Sequence, residues 1–344
     1  MMNQSVTEKK QLMMPRNFIK VLIFSLILLG LCTAASLMFG SRTVGWKELM
    51  DGLFHPDVQS HGANVVRQRI ARTVFSLMCG AALGISGALM QSVTRNPIAD
   101  PSILGVNTGA ALFVVCGMTF LNISTAGQYI WLALAGAIIT AIFVFGIGSM
   151  GSGGATPLKL VLAGAATSAA LSSLVVAIMI PRSSVMDQFR YWQVGSVGAG
   201  NWDSISLFVP FLLTGVLIAV LSAPALNALA LGDEAASGLG VRTGTLRLFA
   251  AFGGVVLCGA ATALAGPIGF IGLLSTHVIR LVIGPDLRYV IPMSALSGAI
   301  ILTISDVCGR LAGRPGELEV GVVTAFIGAP ILILLTMKAK MRAL

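Results

Sequence analysis

Apolar residues in this chain come in long runs broken by short polar punctuation, not in the alternation of a half-buried strand or the narrow stripe of a surface helix. A helix needs about 20 apolar residues to cross the hydrocarbon core of a bilayer. Cutting the sequence at charged or Pro/Gly-rich breaks yields runs of about that length at 18–39, 72–92, 103–121, 129–148, 158–180, 205–223, 247–266, 268–284, 291–311 and 320–337. The break at Gly266-Pro267 is the weakest of these. The longest polar stretch between the late runs, Leu231 to Arg247, is expected to hold a short helix over Asp233 to Leu239, ended by Gly240. Ten crossings put both termini on the same side.

Composition supports that reading. Hydrophobic residues make up 56% of the chain and charged residues 10%, whereas a soluble domain carries about 25% charged residues to face water. The expected fold class is an all-α integral membrane protein of about ten transmembrane helices, with residues 1–344 forming a single polytopic domain. The 40 glycines suit such a bundle, because helices in lipid associate through close backbone approach at small residues. The first run, Phe18 to Phe39, is too long for a signal-peptide core and is expected to remain as helix one.

The net charge of +9 does not point to nucleic acid, since the basic residues sit at the termini and between apolar runs without a dense cluster interleaved with aromatics. It reads as topology. With the N-terminus inside, thirteen of the 22 Lys and Arg face the cytoplasm, which favours a cytoplasmic tail over 1–17 and a cytoplasmic loop over 231–247. The nine on the outside need another explanation. An internal echo is also visible. Cys79-Gly80-Ala81-Ala82 with Gly87 recurs as Cys258-Gly259-Ala260-Ala261 with Gly266, and Gly105 has the same spacing to Gly284. Copies separated by five spans would face opposite ways, as in carriers built from inverted repeats.

Chemistry is sparse. No phosphate-cradling G-x-x-x-x-G-K-[ST] loop is present, and Gly151 to Lys159 has neither the spacing nor the hydroxyl, so the chain is not expected to hydrolyse ATP itself. Ion-coupled carriers place carboxylates within their spans. Only Asp306 comes close here, and its simplest role is an i,i+4 ion pair with Arg310. His277 and Arg280 share a helix face, while His55 and His61 fall in an outer loop without a second ligand at metal spacing. Cys32, Cys79, Cys116, Cys258 and Cys308 stand alone in apolar segments as small core residues. No catalytic group, metal site or cofactor is expected. The 231–247 segment reads equally well as a solvated connector and as a docking element, because small Ala235, Ala236, Ser237 and Gly238 leave a surface that another protein can approach.

Several strings, taken together, resemble the iron-siderophore and cobalamin (FecCD-type) family of ABC importer permeases. In the first half they are Arg69-Ile70-Ala71-Arg72, Gly87-Ala88-Leu89-Met90-Gln91, Arg95-Asn96-Pro97-Ile98-Ala99-Asp100-Pro101 and Leu104-Gly105-Val106. In the second they are Leu231-Gly232-Asp233-Glu234-Ala235-Ala236, Leu239-Gly240-Val241, Ala265 to Leu273, Gly284-Pro285-Asp286 and Gly328-Ala329-Pro330. The resemblance covers about residues 18–337.

It implies a permease that pairs with a second permease chain, identical or homologous, around a translocation path, and that binds two ABC ATPase subunits and one extracytoplasmic substrate-binding protein. By likeness, Asp233, Glu234, Ala235, Ala236, Leu239, Gly240 and Val241 form the coupling element seated on the ATPase. Arg69 and Arg310 match the family's outer arginines that meet acidic residues of the binding protein. A plainer role for each is an ion pair of Arg310 with Asp306 and, for Arg69 with Arg72, anchoring of span two at lipid headgroups. Family prolines are replaced by Ala71, Thr276 and Glu319. The expected cargo is an iron(III)-siderophore, with cobalamin, haem, or carriage without ATP as the alternatives.

Overall fold

The computed structural model describes residues 18–342 apart from 56, 59, 124 and 152–155, so the tail over 1–17 lies outside the described residues. Regular structure among the described residues is entirely helical. In chain order the helices are α1 (Phe18–Met38), α2 (Trp46–Phe54), α3 (His61–Val93), α4 (Val106–Phe120), α5 (Ala126–Ser149), α6 (Pro157–Met179), α7 (Ser183–Val194), α8 (Trp202–Leu229), α9 (Asp233–Gly238), α10 (Thr243–Ala265), α11 (Ile271–Ile283), α12 (Leu287–Ala312) and α13 (Val320–Arg342). A 3₁₀ turn, Pro101–Leu104, precedes α4. Seven helices are long and apolar enough to cross a membrane, and three shorter apolar ones lie at 106–120, 271–283 and 320–334. Together they account for the ten expected crossings, with α2, α7 and α9 lying at the ends of the bundle.

The helix limits differ from expectation most at α3. It begins at His61, capped by the Ser60 hydroxyl accepting from the Ala63 amide at 3.2 Å, well before residue 72. Arg67, Arg69 and Arg72 look like a break in the sequence, yet each finds acceptors close by, so the helix runs through them. Likewise α8 continues through Pro210 and Pro224 to Leu229.

α3 is the hub, packing against α8, α10, α11 and α12. Its glycines make this possible, because a Cβ at Gly80 would collide with the Gly298 backbone, one at Gly84 with Ser294, and one at Gly87 with Gly272. Close approach of this kind replaces the hydrophobic driving force that lipid removes. Replacing Gly80 with leucine is expected to cost at least about 1–3 kcal/mol through overpacking, visible as a lower thermal midpoint and loss of a monodisperse peak in detergent. An unchanged midpoint would show that the α3–α12 contact tolerates a side chain.

The internal echo is partly topological. Cys79 on α3 and Cys258 on α10 are both buried in helices that cross in opposite directions, but Gly105 opens α4 while Gly284 closes α11, so those two glycines are not equivalent. Nor are all the cysteines core residues. Cys32, Cys79 and Cys258 are buried, whereas Cys116 is half-buried and Cys308 is exposed, because its face of α12 points away from the hub.

Candidate functional site

The end of the bundle expected to face the cytoplasm, called inner below, carries a short helix held at both ends. Gly232 and Gly240 flank α9 with φ of 112° and 83°, conformations that favour glycine. At its C-terminus the Val241 amide donates to the Ala236 carbonyl at 3.0 Å and the Gly240 amide to that of Ser237 at 2.9 Å, the paired bonds of a Schellman stop. Asp233, in the first turn, accepts from Arg247 of α10 at 2.8 Å and also pairs with Arg95, which follows α3. Three parts of the chain are thereby tied to one carboxylate, and its place at a helix N-terminus is favourable for negative charge. Ala236 is buried against the bundle, whereas Glu234, Ala235, Leu239 and Gly240 are exposed and Val241 is half-buried. Leu231 and Leu239 present apolar surface on this rim. Sequence reasoning placed α9 correctly but missed Arg95 and Arg247. Their positions at the inner ends of spans two and seven were the available signal.

The opposite end, called outer below, holds an arginine–carboxylate cluster. Asp306, almost fully buried on α12, receives Arg72 at 2.6 Å and Arg310 at 3.0 Å, and Arg72 also reaches Glu317 at 2.7 Å. The expected Asp306–Arg310 pair is present, with Arg72 as a partner that sequence spacing did not reveal. Arg310 further donates to the Ser36 carbonyl and hydroxyl at 3.0 and 2.8 Å. Arg69 does not anchor α3 at headgroups. Its guanidinium turns inward and donates to the carbonyls of Leu37, Met38 and Arg42 at 3.1, 3.2 and 2.6 Å. Those are carbonyls at and beyond the end of α1, which have no helical partner of their own.

Other outer arginines do the same. Arg314 donates twice to Gly40, and Arg182 donates to Thr119 at the end of α4. Five of the ten crossings end on this side, and cations at helix C-termini are favoured by the dipole. This accounts for much of the outer positive charge. Arg69, Arg72, Arg310 and Glu317 also line a cavity of about 670 Å³ that opens on this face, together with Arg42, Arg67 and His61.

Between the faces the interior is quiet. Asn107 accepts from Thr262 at 3.0 Å and Arg280 donates to Ser92 at 2.8 Å. No cluster of metal-ligating side chains occurs among the described residues. α6 is sparsely packed, with 22% of its most apolar window buried against 17% for α1, and it differs from α1 in exposing Ser172 and Ser173 beside Ala165, Ala166, Ala169 and Ala170.

A bundle of ten crossings around a glycine-packed hub, with a rigid helix on the inner rim and an arginine-lined cavity on the outer, is the architecture of a transport permease. The chain belongs to the FecCD transport family, whose model matches residues 27–338. It is 41% identical over 312 residues to the ferric enterobactin transport system permease protein FepD of Escherichia coli, covering 90% of this chain and 92% of that one. It is 40% identical over 323 residues to the Fe(3+)-citrate import system permease protein YfmD of Bacillus subtilis, covering 94% and 95%. A solved metal-chelate type ABC transporter in an inward-facing conformation superposes with a TM-score of 0.80 at 26% identity, covering 93% of this chain and 99% of that one. The protein is therefore a multi-pass permease subunit of an ABC transporter in the cell membrane.

Proposed function

We propose that this permease imports an iron(III)-siderophore, with ATP hydrolysed by two separate ATPase subunits that seat against α9. The observation that carries the reading is α9 itself, a helix fixed to α10 and to the end of α3 through Asp233 while its outward side stays exposed. An element of that kind transmits displacement because its hinges are braced. Asp233 and Ala236 hold it to the bundle, Glu234, Ala235 and Leu239 meet the ATPase, and Gly240 with Val241 closes the turn. The cargo rests on the relatives, whose names specify ferric enterobactin and ferric citrate.

The second permease chain packs on the exposed small-residue face of α6, where serines in a spanning segment are better placed against protein or a watered path than against lipid. The extracytoplasmic binding protein docks over the outer cavity. Arg69 and Arg310 act there from the cavity wall, beneath the more exposed Arg42 and Arg67, and such charge chiefly sets orientation and encounter rate.

The test is uptake of radiolabelled iron, presented as a panel of siderophores to iron-limited cells with and without this chain. Selective loss of one siderophore's uptake, restored by the intact chain, is expected. Uptake unchanged across the panel would overturn the cargo and direct the same assay to haem and cobalamin.

A further inference from the structure

We propose that the groove bounded by α1, α3, α8 and α12 is a binding site for an anionic phospholipid of the cytoplasmic leaflet, with its acyl chains along the groove and its phosphate at Arg288. The groove has a volume of about 850 Å³, and its walls are aliphatic, formed by residues such as Leu29, Met78, Ile85, Val216 and Ile291. The lining runs from Leu212 to Pro224 on α8 and from Leu287 to Ala299 on α12. At 1.5 Å per helical residue each wall is about 18 Å long, close to half of a hydrocarbon core about 30 Å thick. The α12 wall starts at Leu287, the first residue of that helix, where the Phe18 ring of α1 lies 4.8 Å from the Tyr289 ring, and the α8 wall stops at Pro224, short of that helix's end at Leu229. The groove therefore belongs to one leaflet.

Its charge pattern selects the occupant. Arg288 is the only charged residue among those lining the groove, it stands at the inner end, and its side chain is exposed with no ion-pair partner among the described residues. Lys20 adds a second exposed cation at the inner end of α1. A narrow apolar trough ending in cationic side chains complements acyl chains ending in a phosphate, and basic pockets between helices on the cytoplasmic side favour acidic headgroups. Pro224 and Pro292 stand in the two walls, and each removes a helical hydrogen bond and crowds the turn before it. α6 does not contribute to the lining, so the site is separate from the surface assigned above to the second permease.

The full-length chain, purified in mild detergent and equilibrated with equimolar phosphatidylglycerol and phosphatidylethanolamine, is to be analysed by native mass spectrometry. Phosphatidylglycerol is expected to be retained preferentially. Arg288→Ala should lower that preference about fivefold, the effect of one basic residue near an anionic lipid, while Arg288→Lys should keep it. Ala295→Trp, which fills the trough, should reduce retention of both lipids, with thermal unfolding of each variant confirming that the fold survives. Equal retention of the two lipids by the unaltered chain, or a preference unchanged in Arg288→Ala, would overturn the proposal. A dimer that disappears in Ala295→Trp would instead assign the groove to a second copy.

Discussion

Iron uptake in cells carrying Gly240→Val is expected to fall about 5- to 150-fold below that of the intact chain, while Gly240→Asn retains most of it. Gly240 sits at φ of 83° with open space where its Cβ would lie, so valine meets backbone strain and no collision. Holding a β-branched residue in that region costs on the order of 1–3 kcal/mol, and asparagine tolerates it far better. The strain falls on the turn that stops α9, and a coupling free energy of this size corresponds to the quoted factor. The asparagine variant separates backbone from surface, since both substitutions add a side chain to the same exposed point. The companion readouts are the amount of chain in the membrane and ATP hydrolysis by the assembled complex. Uptake that stays normal in Gly240→Val, with the chain present at normal level, would count heavily against α9 as the point of ATPase coupling.

The second large effect is on stability. Removing the Asp306 carboxylate by Asp306→Ala leaves Arg72 and Arg310 facing each other in a buried site, the situation in which breaking an ion pair costs about 3–5 kcal/mol. The thermal midpoint in detergent should drop accordingly. Joint replacement by Asp306→Leu with Arg310→Met should recover much of the loss, because Arg72 keeps Glu317 at 2.7 Å and well-packed apolar groups replace a buried pair at little cost. The same variants address carriage without ATP. A proton-coupling carboxylate would lose uptake while the fold stayed intact, whereas a structural one loses the fold first and regains the fold in the double variant.

Much of the architecture was legible in the linear pattern. Ten apolar runs, scarce charge and abundant glycine define a membrane bundle, since only helices that satisfy their own backbone can cross lipid as separate spans. The short helix at Asp233 and its stop at Gly240 were also visible, because acidic starts and glycine ends act locally. The i,i+4 pair of Asp306 with Arg310 followed from helical spacing alone. What the pattern obscured were places where a distant partner changes the meaning of a charge. Arg67, Arg69 and Arg72 resemble a helix break until acceptors from α1 and α12, and the turn before α3, are brought to them. Arg95 and Arg247 converge on Asp233 only because the end of α3 and the start of α10 lie side by side. Cys308 matches the other cysteines in sequence, and only the rotation of α12 about its axis exposes it. The inner-leaflet groove has no sequence signature at all, as its four walls come from separate parts of the chain. The sequence by itself determined which segments enter the membrane, because transfer into lipid depends on the local run of side chains. Which buried charges neutralise one another, and which surfaces remain open to partners, was decided only by the tertiary structure, because those depend on contacts between segments far apart in the chain.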